Sequence, residues 1–428
     1  MTLGRWAVFV AALLVFASQG AVAEFRASAV KVDITPETPQ WLLGYEPRQS
    51  KSVHDKIYHR VVAMHDGTTE FFLVSSELGA ISPAFYDEFC AELEKQTRIT
   101  RQQLWWTVTH THSAPEVGPP GLAKVFLGNR YQHNWDQIYT GQVTTALADA
   151  IKTTRTRLEP ARMGTGSTIS MANINRRARD VDGKVSLGMN PDGPVDRRIG
   201  LVRLEKLDGS LIALIANYAM HGTVLGAVPQ ISGDAPGAVA SYVEEKLGAP
   251  MLYINGAAGN IGPIYTLNPN FRNIAQFNVL IGDRILAANA SIRTQDGESP
   301  FLRLDEKVVE TPRKPEITWP EDLGQYHRVD SSGTGVVRVP VRFLRLRRDT
   351  VIWASPLELF CEIAIRVRDQ SPFQNTFYFG YTNGWMGYLP VSEAFQSGGY
   401  EPRVSPFTER AERDFGDAVI EHLQGMGR

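Results

Sequence analysis

Leu104-Trp105-Trp106-Thr107-Val108-Thr109-His110-Thr111-His112-Ser113 joins a short apolar stretch to two histidines that are one residue apart. The apolar residues 104–108 predict a buried β-strand, and a loop rich in proline and glycine follows the histidines. In an extended segment, residues i and i+2 point to the same face, so the imidazoles of His110 and His112 are expected to converge. Either both imidazoles meet at one point, or one binds a metal ion while the other serves the substrate.

A third histidine follows another predicted strand, in Tyr218-Ala219-Met220-His221-Gly222-Thr223. Loops at strand ends often carry catalytic groups. A single histidine beside such a loop is more often a packing residue, so only the set of three suggests a metal site. Catalytic zinc typically has about three protein ligands and one open position, and two histidines with one carboxylate would suffice. Spacing alone does not select that carboxylate among the 46 acidic residues.

Predicted helices and strands alternate along the chain without a strict repeat. Hairpins are predicted at 61–78 around Asp66-Gly67 and at 201–219 around Asp208-Gly209, both favoured turn pairs. Further strands are predicted at 29–34, 251–254 and 375–381, a β-rich segment at 337–353, and helices at 83–97, 138–153, 238–247, 279–292, 358–369 and 409–423. The polar segment 294–336 is expected to be a surface excursion or a subdomain connection. This mixture predicts an α+β or α/β fold with a mixed β-sheet core flanked by helices.

The amino-terminal residues have the pattern of an export signal. Arg5 precedes the apolar run 6–16, and Ala21-Val22-Ala23 provides a small-x-small cleavage site. We therefore predict a signal peptide at 1–23 and an exported chain, periplasmic or secreted. After it, no segment reaches the roughly 18 uninterrupted apolar residues that a membrane-spanning helix needs.

Composition narrows the class of function. Lys+Arg number 44 and Asp+Glu number 46, so the basic excess expected of a nucleic-acid-binding protein is missing. Only two cysteines are present, Cys90 and Cys361. Export would permit a disulfide between them, but both lie in apolar helical patterns, and two buried thiols are equally expected.

Two other segments have open interpretations. Small residues dominate 255–263, Asn-Gly-Ala-Ala-Gly-Asn-Ile-Gly-Pro. Such a loop either stabilises an oxyanion through successive N–H groups or forms a tight turn that permits close backbone approach. The aromatic-rich stretch 378–400 predicts core or the wall of an apolar pocket.

Eight motifs, in this order along the chain, resemble those of the neutral/alkaline ceramidase family. The motifs are Val32-Asp33-Ile34-Thr35-Pro36, Thr109-His110-Thr111-His112-Ser113, Asn173-Ile174-Asn175-Arg176, Met220-His221-Gly222-Thr223, Ile231-Ser232-Gly233-Asp234, Gly259-Asn260-Ile261-Gly262-Pro263, Pro356-Leu357-Glu358-Leu359-Phe360 and the stretch from Asn383 to Glu401. Within the last stretch, Tyr388 and Tyr400 keep the family's separation of twelve residues. No single motif is decisive, but their shared order makes a chance similarity improbable.

The resemblance implies a neutral-ceramidase-like catalytic domain with one zinc ion per chain. The zinc ligands it implies are His110, His221, Glu358 and Tyr388. It also implies that the reaction centre is lined by His112, Arg176 and Tyr400, which would hold the scissile carbonyl or its oxyanion. From the residues alone, Arg176 could equally be an ion-pair residue and Tyr400 a packed aromatic residue.

The implied reaction is hydrolysis of an N-acyl amide in a ceramide-like lipid by metal-activated water, as in sphingolipid metabolism. The expected partner is therefore a small-molecule or lipid-like amide, with peripheral membrane contact allowed and nucleic acid excluded. One alternative is the same metal site hydrolysing another amide or an ester, such as an acylated sugar. The other is a non-catalytic binding protein that keeps its metal for structure. The sequence does not indicate an additional structural Ca²⁺ or Mg²⁺, nor the oligomeric state.

Two departures from the family pattern bear on the mechanism. Gly262 occupies the position of the family's active-site serine, and glycine has no hydroxyl to act as a nucleophile. The family's C-terminal immunoglobulin-like domain has no counterpart, so residues 24–428 are expected to form a catalytic domain alone.

Overall fold

The computed structural model describes residues 24–264, 273–294 and 300–427, so the predicted signal peptide lies outside the described residues. The described strands are β1 (Arg26–Asp33), β2 (Ser52–Val53), β3 (Tyr58–His65), β4 (Glu70–Ser76), β5 (Leu104–Val108), β6 (Glu159–Ile169), β7 (Asn173–Arg179), β8 (Val185–Asn190), β9 (Arg198–Lys206), β10 (Leu211–Tyr218), β11 (Gln230–Ile231), β12 (Met251–Asn255), β13 (Ile261–Pro263), β14 (Arg303–Pro312), β15 (His327–Val329), β16 (Gly335–Arg347), β17 (Thr350–Ala354), β18 (Glu358–Leu359), β19 (Asn375–Phe379) and β20 (Tyr388–Leu389). The described α-helices are α1 (Pro83–Thr97), α2 (Leu122–Phe126), α3 (Gln137–Thr156), α4 (Asp234–Leu247), α5 (Asp283–Asn289), α6 (Cys361–Gln370), α7 (Ser392–Ser397), α8 (Tyr400–Arg403) and α9 (Ala411–Gly427). A π-helical turn precedes α5 (Asn278–Gly282), and 3-10 turns occur at Gly128–Arg130 and Glu321–Tyr326.

An eight-stranded mixed sheet forms the centre, in the order β12-β10-β9-β6-β1-β3-β4-β5. The pairs β10–β12 and β4–β5 are parallel, and the other neighbours are antiparallel. The sheet curls so that β12 lies against β4 and β5, and the Ser75 hydroxyl in β4 donates to the Tyr253 carbonyl in β12 at 2.6 Å. This curl brings together the loops that follow β5 and β10, which carry the three histidines singled out in the sequence.

Both faces of the central sheet are buried. Along β3, β4 and β5, successive apolar side chains enter different core clusters: Val61 and Trp106 pack with α1 and α3, whereas Val62 and Trp105 pack against the second sheet. This alternation is the period of two that a strand imposes. The second sheet has the order β14-β16-β17-β19, with β15 also paired to β16.

The predicted fold class, mixed sheets flanked by helices, is confirmed. Both hairpins form around the predicted turns, and the predicted ranges 83–97 and 104–108 match α1 and β5. Cys90 and Cys361 are buried free thiols, so the disulfide does not form. Of the described helices, none is long and apolar enough to cross a bilayer.

Two local predictions are wrong, and three strands were not predicted. The segment 294–336 is not only a surface excursion, because it contains β14, a ten-residue strand at the edge of the second sheet. Glu358 does not begin a helix: it lies in β18, and α6 begins at Cys361 after an extended Phe360. Strands β6, β7 and β8 were not predicted, since glycine, proline and charged residues interrupt their apolar pattern.

Candidate metal centre

His110 and His221 are fixed by backbone carbonyl groups. His110 Nδ1 lies 2.6 Å from the Gly79 carbonyl oxygen, and His221 Nδ1 lies 2.7 Å from that of Ala258. Because a carbonyl only accepts hydrogen bonds, each Nδ1 carries a hydrogen, and each Nε2 is the atom left for a ligand. Hydrogen bonds of this kind orient metal-binding histidines and fix their tautomer. Both side chains are buried.

The Glu358 carboxylate faces both of these nitrogen atoms. Its Oε2 lies 3.3 Å from His110 Nε2 and 3.0 Å from His221 Nε2. Burial alone would raise the pKa of Glu358, but the two imidazoles outweigh it and hold this pKa well below its usual value. Burial, with the nearby Arg176 charge, lowers the pKa of His221 to about 4. His221 Nε2 is buried and has no hydrogen-bond partner among the described residues, and a cation between these atoms would bind both the imidazole and the carboxylate. The donor set fits a metal ion.

His112 completes a cluster of three histidines. The Nε2 atoms of His112 and His110 are 3.2 Å apart. His110, His112 and His221 each have a ring nitrogen within 4.8 Å of a ring nitrogen of the other two. His112 Nδ1 is buried and has no hydrogen-bond partner among the described residues. Burial, followed by the charges of the other two histidines, lowers the pKa of His112 well below its usual value. The geometry is compatible with both roles considered from the sequence, metal ligand and substrate-facing group.

The backbone brings His110 and His112 together by a route that strand periodicity does not describe. His110 has a φ of 60°, in the left-handed region, and so leaves the extended path of β5. The loop containing Gly44 packs directly on the second ring: a Cβ at Gly44 would lie 2.4 Å from His112 Nδ1. The imidazoles converge as predicted, but a tight turn rather than an i, i+2 relation causes it.

Tyr388 lies beside Glu358 because their short strands, β20 and β18, pair in parallel with these two residues in register. The Arg176 guanidinium donates to the Tyr388 hydroxyl, with Nη2 3.0 Å from the oxygen. Tyr400 is next in line, with its ring centroid 5.7 Å from that of Tyr388. Burial and Glu358 raise the pKa of Tyr400, while Arg130 and Arg176 oppose the rise. The structure thus brings all the residues singled out from the sequence to one region.

Two aromatic residues that sequence reasoning did not identify as functional hold Glu358. The Trp385 indole N–H donates to Oε1 at 2.7 Å, and the Tyr381 hydroxyl donates to Oε2 at 3.3 Å. The Tyr381 ring also stacks on His110, with centroids 4.3 Å apart. Both residues belong to the aromatic stretch that predicted a pocket wall, and nothing in their spacing marks them as partners of a carboxylate.

Glu401 is a further residue that the sequence analysis missed. One of its oxygens lies 3.0 Å from Arg176 Nε, and the other lies 2.6 Å from Arg177 Nη1. All three side chains are buried. Arg176 is thus an ion-pair residue, as one interpretation of the sequence held, and it also reaches Tyr388 with its other end. Burial opposes its charge, but Tyr388 and Glu401 more than compensate and raise the pKa of Arg176.

The small-residue loop after β12 supports the centre through close packing. The amides of Gly256, Ala258, Gly259 and Ile261 all donate to backbone carbonyls, which leaves these groups unavailable to an oxyanion. A Cβ at Gly259 would lie 2.5 Å from the Glu358 carbonyl oxygen, so only glycine fits there. Of the two interpretations of this loop, close backbone approach is the one observed.

Comparisons with known proteins agree with this architecture. The family described as neutral/alkaline non-lysosomal ceramidase, N-terminal, matches residues 25–261, a range that includes His110, Arg176 and His221. Neutral ceramidase A from Dictyostelium discoideum is 32% identical over 164 residues, which cover 36% of this chain and 21% of that protein. The match therefore spans only about a fifth of that relative's length.

Two solved structures share the fold. The crystal structure of neutral ceramidase from Pseudomonas aeruginosa has a TM-score of 0.75 at 17% identity, over 95% of this chain and 75% of the other. A ceramidase complexed with C2 has a TM-score of 0.74 at 16% identity, over 94% and 75% of the respective chains. The family match covers more than half of this sequence. The chain belongs to the neutral/alkaline non-lysosomal ceramidase family.

Proposed function

We propose that this chain is a zinc-dependent hydrolase that cleaves an N-acyl amide, with His110, His221, Glu358 and Tyr388 as the zinc ligands. The observation that carries the proposal is the position of Glu358 Oε2, 3.0 and 3.3 Å from two imidazole nitrogens whose rings are locked by carbonyl groups. Zinc binds nitrogen and oxygen at about 2.0–2.2 Å in a tetrahedron, which puts neighbouring ligand atoms roughly 3.3 Å apart. The spacing of these atoms supports one shared ion.

A zinc ion in this position supplies a Lewis acid that polarises a carbonyl and lowers the pKa of water. The side chains around it supply the remaining chemistry. Arg176 is always charged and Tyr400 stays protonated, so both can donate hydrogen bonds to the oxygen of the scissile carbonyl as negative charge develops. His112 Nδ1 is buried without a hydrogen-bond partner among the described residues, and its Nε2 lies 3.2 Å from that of His110, so this imidazole can accept a proton from the attacking water and pass it to the leaving amine.

The nucleophile in this proposal is water. Gly262 lies in β13, opposite Ile174 in β7, and offers no hydroxyl at the position of the family's serine. A mechanism with a nucleophile from that residue is therefore not available to this chain. Gly262 pairs with Ile174, two residues before Arg176, and the missing side chain favours a second candidate: hydrolysis of another amide or an ester, such as an acylated sugar, at the same centre.

We also propose that residues 24–428 act as the catalytic domain after export and removal of residues 1–23. A substrate with an N-acyl amide, in a lipid or another small molecule, is the expected partner.

Metal analysis of the wild type beside His110→Ala and His54→Ala tests the proposal. His54 is a partly exposed histidine that pairs with Asp55, so it controls for the loss of an imidazole. We expect about one zinc per chain in the wild type and in His54→Ala, and loss of both zinc and amide hydrolysis in His110→Ala. Assays use N-acyl lipids, acylated amino sugars and esters. Stoichiometric zinc without hydrolysis of any of these substrates would contradict the proposal and indicate a structural metal.

A further inference from the structure

A separate cavity of about 750 Å³ opens beside the metal centre. Its walls are the segment 119–135, which includes α2, and the segment 316–322, which precedes β15. Four of its lining residues carry aromatic rings, namely Tyr131, His133, Trp135 and Trp319, and half of the other ten are polar or charged. The volume falls within the range of about 300–1,000 Å³ that is usual for small-molecule sites.

Two of these rings are held in place by stacking on a neighbouring ring and by a hydrogen bond from or to a ring nitrogen. His133 stacks on Trp41 with centroids 4.0 Å apart, and its Nε2 lies 2.8 Å from a Glu116 oxygen. Trp319 stacks on His327 with centroids 5.3 Å apart, and its N–H donates to the Leu323 carbonyl at 2.8 Å. A ring held in this way loses little freedom when a ligand covers it, which favours binding. The cavity therefore has preorganised flat platforms.

The cavity adjoins the reaction centre through shared walls. Pro119, Pro120 and Tyr131 border both the cavity and a narrower pocket that reaches Trp385. Trp385 in turn donates to the Glu358 carboxylate. The narrower pocket thus lies between the cavity and the indole that holds a proposed metal ligand.

Both walls are also tied to the helix that carries Tyr400. Arg130, at the end of one wall, acts electrostatically on the Tyr400 hydroxyl. Two residues before the other wall, the Lys314 ammonium donates to the Pro402 carbonyl and the Lys314 amide donates to the Pro406 carbonyl at 2.9 Å. The two segments that line the cavity are therefore continuous with residues that contact or act on the helix carrying Tyr400.

The lining distinguishes between classes of ligand. An acyl chain would meet the carboxylates of Glu316 and Asp322, and apart from the aromatic rings its only apolar contacts would be Val125 and three prolines. A sugar has C–H faces that stack on aromatic rings and hydroxyls that pair with carboxylates and amides, which this cavity supplies through Trp319 and Asn134. A quaternary ammonium group would use the same rings but leaves most of this volume unfilled.

We infer that this cavity binds a neutral sugar group. If the proposed hydrolase function holds, the sugar is part of the substrate, and the enzyme hydrolyses an acyl bond in a sugar-containing amide or ester. Sugar binding itself does not depend on the metal or on catalysis.

Calorimetric titration with cellobiose tests the binding site, because this disaccharide has no acyl bond for the reaction centre to engage. We expect saturable binding to the wild type, with and without a zinc chelator, and a loss of about tenfold in affinity in Trp319→Ala and in Trp135→Ala. Tyr242→Ala removes a partly buried ring from α4, outside the cavity, and should bind like the wild type. Choline chloride and sodium octanoate are titrated in parallel.

Absence of saturable cellobiose binding by the wild type would overturn the inference. So would choline or octanoate binding that Trp319→Ala abolishes while cellobiose binding does not change. The substrate claim has its own readout: Trp319→Ala should raise KM for an N-acylated amino sugar with little change in kcat. Cellobiose binding by a protein that hydrolyses nothing would disprove the proposed function and leave the sugar site standing.

Discussion

The candidate metal centre and the proposed sugar cavity are neighbours, but they are built differently. In the centre, His110, His221 and Glu358 are buried and each is held by further hydrogen-bond partners. In the cavity, Glu316 and Asp322 are exposed, and order comes from rings stacked on other rings. This difference indicates that a single substitution in the centre disrupts the chemistry, because each residue there holds another. Substrate choice depends instead on two surface segments, where single substitutions are tolerated. The predictions below test this contrast.

The largest effect is expected at Glu358. Glu358→Gln keeps the shape of the side chain but removes the negative charge that faces two imidazole nitrogens. We expect zinc content to fall to a small fraction of the wild type and kcat/KM to fall by at least about 10³-fold. Metal analysis and steady-state kinetics measure both. The same substitution in the cavity, Glu316→Gln, is the matched control and should keep its zinc; a Glu358→Gln protein with full zinc would refute the ligand assignment.

The next effect concerns stability. Glu401→Gln leaves the buried guanidinium groups of Arg176 and Arg177 without their shared carboxylate. Uncompensated buried charges of this kind cost about 3 kcal/mol or more, and we expect the free energy of unfolding to fall by that amount in chemical denaturation. Glu393→Gln is the control, because Glu393 pairs with Arg179 at the surface and should change stability by less than about 0.5 kcal/mol. Equal effects of the two substitutions would mean that the pairing around Glu401 adds little.

A smaller effect is expected at Trp385. Trp385→Phe removes the N–H that donates to Glu358 Oε1 but keeps an aromatic ring. Loss of such an orienting contact typically lowers metal affinity by about 10–100-fold, which chelator competition measures. Trp319→Phe removes an equivalent N–H, whose acceptor is the backbone carbonyl of Leu323 directly after the wall segment 316–322, and it should leave metal affinity unchanged. Identical metal affinity in Trp385→Phe and the wild type would show that this contact does not position Glu358.

The smallest effect on stability is expected at the cavity rim. Asp322 is exposed, so Asp322→Asn should change the free energy of unfolding by no more than about 0.5 kcal/mol. Because the residue lines the cavity and not the centre, KM for a sugar-containing substrate should change while kcat stays the same. A fall in kcat at unchanged KM would mean that the two regions are not separate in function.

Features with strong local signals were predictable from the sequence. The turn pairs Asp66-Gly67 and Asp208-Gly209 located both hairpins, and helical spacing located α1. The strand β14 was not predicted because the charged run Asp305-Glu306-Lys307 interrupts its apolar pattern in a segment otherwise rich in polar residues. Glu358 was placed at the start of a helix because the helical pattern of α6 continues backwards over two residues that instead pair with β20.

The candidate site could be predicted only in part. The three histidines follow strands, and that position is visible in the sequence. The carboxylate of Glu358 lies 137 residues after His221, the nearest of the three histidines in the sequence. Only the resemblance to a family singled out this carboxylate. Tyr381, Trp385 and Glu401 act through tertiary contacts with Glu358 and Arg176, which no local pattern specifies. Such supporting residues become visible only when the strands are assembled.

Anomalous diffraction at the zinc absorption edge, from crystals of zinc-loaded wild-type protein, tests the central claim most directly. We expect one strong peak within bonding distance, about 2.0–2.2 Å, of His110 Nε2, His221 Nε2 and a Glu358 carboxylate oxygen. A peak bound elsewhere, or no peak between these three side chains, would contradict the account.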